Sequence, residues 1–109
     1  MKKLMIIIFA IISIAMAPNL QSGVKLSDAA IERTAHHVRY SSGYIKLEYP
    51  NGDVPEGTGV CTDVVVRSYR NGLGIDLQKL IHEDMKVNFD QYPSKRIWGA
   101  TGPDKNIDH

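Results

Sequence analysis

Cys61 is the residue of this sequence best suited to chemistry, and it is the only cysteine of the chain. It follows a turn-rich segment, residues 51–59, and precedes a segment in which Val65 and Tyr69 recur at helical spacing. A cysteine that opens a helix lies among free amide groups, which stabilise a thiolate and can hold a developing oxyanion. The pattern therefore fits a cysteine nucleophile. The alternative is a small apolar residue packed at the start of a helix.

Spacing does not choose among the other uses of a lone cysteine. A single cysteine cannot close a disulfide within its own chain, so Cys61 is a buried thiol, half of an intermolecular bridge or a reactive group. Asp63 lies in the same predicted first turn, and its carboxylate would oppose ionisation of the thiol. The simpler interpretation of Asp63 is a helix cap.

The histidines of the sequence do not supply an evident partner for Cys61. His36 and His37 lie late in a predicted helix, where solvent or the helix C-terminus is their ordinary surrounding. His82, Glu83 and Asp84 are adjacent on another predicted helix and so point in different directions. A metal site on a helix needs ligands at i and i+4, and a polar helical surface is the simpler interpretation of this trio.

The chain end carries a weak resemblance to a calcium loop. Asp104, Asn106 and Asp108 alternate as the first ligands of such a loop do. No glycine follows Asp108, and the distal glutamate is absent. We expect a turn here, and the sequence predicts no metal site and no cofactor.

The first half of the chain predicts one helix and one strand. Asn19–Lys25 has the composition of a tether, and Ser27 suits the N-cap of a helix from about Asp28 to Arg39. Apolar and charged residues alternate from Tyr44 to Tyr49, which is strand spacing, and Pro50 ends the alternation.

The second half predicts two helices. The valines at 64–66 favour a strand by propensity, but they would place apolar groups on both faces of it. We therefore predict a helix from about Thr62 to Asn71. A further helix is capped by Asp76, and no periodicity follows Tyr92-Pro93. Its apolar face comprises Leu77, Leu80, Ile81, Met85 and Phe89.

The start of the chain resembles a secretory signal peptide, assigned to residues 1–22. Lys2 and Lys3 precede an apolar run that ends in Ala15-Met16-Ala17, and a cut near Ser22 avoids Pro18. The alternative is an uncleaved anchor. We expect an exported protein, periplasmic or extracellular, with no stable membrane insertion after cleavage.

Charge excludes a nucleic-acid binder. Removal of Lys2 and Lys3 takes the formal net charge from +1 to −1, and the remaining basic residues are scattered among acidic ones. The sequence does not define an oligomeric state.

The longest recognisable stretch is YPNGDVPEGTGVCTDVVVRSYRNGLGIDLQKLIHEDMKVNF, followed by YP, WG and PDKNIDH. It resembles the bacterial exported family called domain of unknown function 1287, over about Ala29 to His109. In that family the pattern continues past the Asn-Ile-Asp-His motif into further strands, one of which bears a histidine. The resemblance implies that residues 23–109 are the truncated N-terminal part of a single domain. Marginal stability is expected of such a part.

The family is in turn similar to the papain-like fold of NlpC-type cysteine peptidases, which cleave amide bonds in peptidoglycan peptides. This implies an α+β class, with a partial papain/NlpC-like domain that is helix-rich and has little sheet. It also implies that Cys61 is the nucleophile, that the backbone amides of Thr62 and Asp63 are oxyanion donors, and that the base histidine lies beyond residue 109. The residues expected to line the site are Asp53, His82, Asp84, Asp108 and His109.

Two functions follow from these observations. The first is an exported cysteine amidase or peptidase acting on peptidoglycan peptides, inactive as this chain because its base is missing. The second is a non-catalytic cell-envelope binding module in which Cys61 is structural. Thiol reactivity against pH separates the two, because a structural buried thiol scarcely reacts before unfolding.

Overall fold

The computed structural model describes residues 19–106. Most of the expected signal peptide, together with Asp108 and His109, lies outside the described residues. The described helices are α1 (residues 19–32), α2 (Cys61–Leu73), α3 (Leu77–Asn88) and α4 (Ser94–Trp98), with short 3-10 segments at Arg33–Ala35 and Phe89–Gln91; the strands are β1 (Arg39–Tyr40) and β2 (Thr58–Gly59).

Helix α1 differs from its prediction in both bounds. Residues 19–32 are helical, so the expected tether is helix, and Ser27 donates from Oγ to Val24 O within the helix instead of capping it. Close packing against α2 explains the earlier start. A Cβ added to Gly72 of α2 would lie 2.8 Å from Lys25 O and 3.0 Å from Ala29 Cβ, so the two helices touch through their backbones. Tertiary contact of this kind overrides local propensity.

Helices α2 and α3 confirm the predictions for the second half of the chain. The three valines are helical, and α2 ends at Gly74, which adopts the left-handed conformation with φ 66°. Glycine takes this conformation without steric cost. Asp76 caps α3 by accepting from the Lys79 amide at 3.2 Å. Helix α4 was not predicted; it is a single turn that ends at Gly99.

The observed sheet is small and does not contain the predicted strand. β1 and β2 pair in parallel, with Arg39 opposite Thr58, and Arg39 N donates to Gly57 O at 2.9 Å. The strand predicted over residues 44–49 is wrong, because no described residue forms a ladder with it. Its backbone is satisfied by a side chain instead: Glu48 O accepts from Gln78 Nε2 at 2.8 Å. The α+β class, helix-rich with little sheet, is confirmed.

The interior of the described part is mostly polar. Val66 and Met85 are its buried hydrophobic residues, whereas the buried polar residues are Arg67, Ser68, Gln78, His82 and Ser94. Large apolar side chains such as Val64, Val65 and Leu80 are about half exposed. Hydrogen bonds therefore carry much of the specificity of this fold. None of the helices described between residues 19 and 106 is long and apolar enough to cross a bilayer.

Candidate active site

Cys61 is the first residue of α2, and it is exposed as a free thiol. Val60 before it has extended backbone, with φ −123° and ψ −176°, so the chain turns into the helix at the cysteine itself. The thiol is not packed in the interior of the described residues. A reagent or substrate in solvent can reach it.

The first turn of α2 holds the predicted oxyanion donors. Asp63 acts as the expected cap, because its Oδ2 accepts from the Val60 amide at 2.7 Å. The Asp63 amide in turn donates to Val60 O at 3.1 Å and is already engaged. The amide of Thr62 has no acceptor within residues 19–106. The oxyanion roles stay predictions, and the Thr62 amide is the better placed of the two.

The loop before Cys61, residues 50–58, is tied to α3 at its beginning. Gln78 is only 1% exposed and receives the Gly52 amide on Oε1 at 2.7 Å. Asn51 N donates to Asp76 Oδ2 at 2.7 Å. Asn51 itself has φ 58°, a left-handed conformation that asparagine tolerates. These bonds fix the first turn of the 50–58 loop.

Arg67 ties down the remainder of the 50–58 loop from α2. Its Nε donates to the Asp53 carboxylate at 2.9 and 3.2 Å, and its Nη1 donates to Thr58 O at 3.0 Å. Its Nη2 donates to Val54 O at 3.2 Å and to Pro55 O at 3.4 Å. The side chain is 6% exposed, and a planar guanidinium with five N–H groups can serve all these acceptors at once.

Asp53 lies beside the first turn of α2, and its expected site-lining role stays a prediction. Together with Thr62, Asp63 and Asn106 it lines a small cavity of about 20 Å³, room for about one water molecule. Arg70 adds a second cation near Asp53, at 3.6 Å from its Oδ2. The structure thus brings Asp53 together with the first turn of α2.

His82 lies in a different place from the one that its sequence context indicated. It is buried, and not on a polar helical surface. Its Nδ1 lies 2.7 Å from Asp104 O, and because a carbonyl only accepts, this nitrogen carries the proton. Its ring meets Tyr49 edge-on, with centroids 4.9 Å apart. The pocket that His82 lines, with Tyr44 and Lys105 among others, is separate from the cavity at Thr62.

Asp84 is exposed on α3 and does not line the cavity at Thr62. The Tyr92 hydroxyl donates to its Oδ2, and Asn88 Nδ2 donates to its Oδ1 at 2.9 Å. The bond from Tyr92, and secondly that from Asn88, lowers the pKa of the Asp84 carboxyl below its ordinary value. The same bond raises the pKa of the Tyr92 hydroxyl. Asp84 ties α3 to the segment that follows it.

We expect Tyr92→Phe to destabilise the protein modestly in a window of pH. The lowered pKa of Asp84 stabilises the fold above its unfolded value of 3.8, and this contribution is lost as pH falls through the folded pKa. The raised pKa of Tyr92 stabilises the fold below 10.0, and this contribution is lost as pH rises through the folded pKa. Urea unfolding of both proteins should therefore differ most between about pH 4 and about pH 10. Tyr40→Phe, at an exposed tyrosine, is the control. A difference constant across pH would contradict the assignment.

No group of three potential metal ligands occurs within residues 19–106. The segment that resembled a calcium loop contains a turn: Asp104 Oδ1 accepts from the Asn106 amide at 2.8 Å. The Tyr44 hydroxyl also donates to the Asp104 carboxylate, at 3.2 Å. Asp108 and His109 lie outside the described residues, so their expected place in the site stays a prediction.

The sequence analysis missed the polar residues that build this site, Arg67 and Gln78. The predicted apolar face of α3 is rotated, because Gln78, His82 and Met85 are the buried residues of that helix. These three recur at i, i+4 and i+7. The helical spacing of the polar residues Gln78 and His82 with the apolar Met85 was therefore the available signal. Arg67 offered only one hint, namely its place directly after the buried Val66.

Comparison with known proteins places the chain among relatives. The uncharacterized protein YijF of Escherichia coli (strain K12) is 46% identical over 88 residues, which are 81% of this chain and 42% of YijF. The chain thus spans about two fifths of the length of that relative. No solved structure matches. The domain of unknown function 1287 (DUF1287) matches residues 27–109, and the chain therefore belongs to this family.

Proposed function

We propose that this chain carries the nucleophile-bearing part of an exported cysteine amidase or peptidase that acts on amide bonds of peptidoglycan peptides. The observation that carries the proposal is the exposed thiol of Cys61 at the first position of α2. A thiol in that position meets helix amides that favour its ionised form. The proposal also draws on the resemblance to NlpC-type papain-like enzymes that the sequence suggests.

The chemistry would be nucleophilic acyl transfer. The Cys61 sulfur attacks the carbonyl carbon of the substrate amide, and the negative charge moves to the carbonyl oxygen. The Thr62 amide is available to donate to that oxygen, whereas the Asp63 amide would first have to leave Val60 O. Collapse breaks the C–N bond, the leaving amine takes a proton, and water then hydrolyses the thioester.

The base of this reaction is proposed to come from sequence beyond residue 109. His82 lies in a separate pocket, with Nδ1 bound to Asp104 O. His36 precedes β1 in the chain and is exposed. Its Nε2 lies 2.6 Å from Glu32 Oε1. The full-length family member is the enzyme in this proposal.

A second function is favoured by the surroundings of Asp63. This carboxylate lies in the same turn of α2 as Cys61 and accepts from the Val60 amide, and the Asp63 amide donates to Val60 O. No histidine lines the cavity at Thr62 within the described residues. A non-catalytic module that binds cell-envelope peptides would retain this arrangement without penalty.

The decisive experiment uses a full-length family member and purified peptidoglycan fragments. Changing the cysteine that corresponds to Cys61 to alanine should reduce cleavage by about a thousand-fold or more, because the covalent intermediate is lost. Products are followed by mass spectrometry, and circular dichroism checks that the variant is folded. Unchanged cleavage by the alanine variant would exclude the hydrolase. Binding of the fragments by both proteins without cleavage would support the second function.

Export is part of the same proposal and rests on residues 1–22. N-terminal sequencing of the protein recovered from the periplasm should find a start near Ser22. Recovery of the intact Met1 terminus from a membrane fraction would instead support the uncleaved anchor.

A further inference from the structure

We propose that Arg67 is a positioning residue that holds Cys61 in its reactive geometry through the 50–58 loop. The inference rests on the proposed function, because it concerns the same thiol. Arg67 does not itself line the cavity at Thr62. It acts on the backbone that leads into the cysteine.

The acceptors of the Arg67 side chain lie in the 50–58 loop. They are the Asp53 carboxylate and the carbonyls of Val54, Pro55 and Thr58, all within nine residues before Cys61. Thr58 belongs to β2, which pairs with β1. One buried guanidinium thus ties residues 53–55 and 58 of the loop to the second turn of α2.

Gly59 lies close to both Arg67 and the capping residue Asp63. A Cβ added to Gly59 would lie 3.2 Å from Asp63 Cβ and 3.4 Å from Arg67 Nη1, so Gly59 is held between these two side chains. Asp63 also receives the Val60 amide. Arg67 and Asp63 therefore fix Gly59 and Val60, the two residues directly before the thiol.

The planar shape of the guanidinium is what this role needs. A lysine keeps the positive charge beside Asp53, but it has three donors on one nitrogen and cannot reach the carbonyls of residues 54 and 58 together. Arg67→Lys should therefore keep the ion pair and loosen the backbone. Arg70→Lys is a matched control, since Arg70 also faces Asp53 but bonds only to Gly52 O among the loop carbonyls.

Alkylation by iodoacetamide measures the effect directly, because Cys61 is the only cysteine of the chain. We expect Arg67→Lys to lower the alkylation rate about five-fold across the profile of rate against pH, since the loosened 50–58 loop no longer holds the thiol in one geometry at the first turn of α2. The Arg70→Lys profile should match that of the unmodified protein. The profiles are recorded between about pH 6 and about pH 9 on the complete chain.

A merely structural role gives a different result. In that case Arg67→Lys lowers the melting temperature but leaves the alkylation profile of the folded protein unchanged, and the proposal is overturned. If Arg67→Lys does not fold, Arg67→Gln replaces it, because its amide nitrogen cannot serve Asp53 and the carbonyls of Val54 and Thr58 together; the same two outcomes then decide. Alkylation needs no substrate, so this result is independent of whether the Cys61→Ala experiment supports a hydrolase.

Discussion

Gly52→Ala is expected to unfold most of the protein at physiological temperature. A Cβ at this position would lie 2.1 Å from Glu48 O and 2.8 Å from Gln78 Nε2. The backbone would have to move, which breaks the bond from Gly52 N to Gln78 and the bond from Arg70 to Gly52 O. Overpacking and the loss of buried hydrogen bonds together cost about 3 kcal/mol or more. A small domain has little stability beyond this amount.

Urea unfolding monitored by circular dichroism measures the effect of Gly52→Ala. Gly57→Ala is the matched control in the same loop, because a Cβ added there meets no atom within 4 Å. The control should change the midpoint little, whereas Gly52→Ala should abolish the folded baseline. Equal midpoints for the two variants would show that the close packing at Gly52 does not limit stability.

Arg67→Met is expected to cost about 3 kcal/mol of unfolding free energy. The methionine fills part of the space but leaves the Asp53 carboxylate and the carbonyls of Val54 and Thr58 without their donor. Breaking a buried pair by removing one partner costs about 3 to 5 kcal/mol. The lower value applies here, because the Asp53 side chain is 32% exposed and water can replace part of the interaction.

Chemical denaturation at neutral pH tests Arg67→Met against a surface pair. Lys79→Met removes an exposed ion pair of 2.7 Å with Glu83 and should change the free energy of unfolding little. The double variant Arg67→Met/Asp53→Leu should recover part of the loss, since it also removes the carboxylate that Arg67→Met leaves with only the longer Arg70 contact. If the double variant is less stable than the sum of the single changes predicts, the pairing of Arg67 with Asp53 is not the source of the effect.

Local signals predicted the second half of the fold well. Asp76 and Asp63 are short polar residues ahead of apolar periodic segments, and both cap helices as expected. Gly74 ends α2 in the left-handed conformation, a common way for a helix to end. These features depend on a few neighbouring residues, so the sequence contains the whole of their cause.

Features that depend on distant contacts could not be predicted in the same way. Helix α1 begins early because it packs on Gly72, more than forty residues away in the chain. The alternation over residues 44–49 needs a partner strand to become a ladder, and within residues 19–106 Gln78 binds its backbone instead. The partners of Arg67 are mainly carbonyls, which every residue carries and no sequence pattern marks.

The candidate site was predicted in part. Cys61 at the start of a helix followed from turn residues and helical spacing, and Asp53 does lie at the cavity beside Thr62. Asp84 does not reach that cavity, because it points to solvent and binds Tyr92. Adjacent polar residues on a helix can lie in different environments, because they point in different directions. His82 is buried, whereas Glu83 and Asp84 are exposed.

The polar interior around Arg67, Gln78 and His82 has a thermodynamic consequence. Exposure of apolar surface raises the heat capacity on unfolding, whereas exposure of polar surface lowers it. Many large apolar side chains of the described part are already in water, and most of its buried side chains are polar. The heat-capacity increment of unfolding therefore lies below the usual value for a chain of this length, and the curve of stability against temperature is broad and shallow.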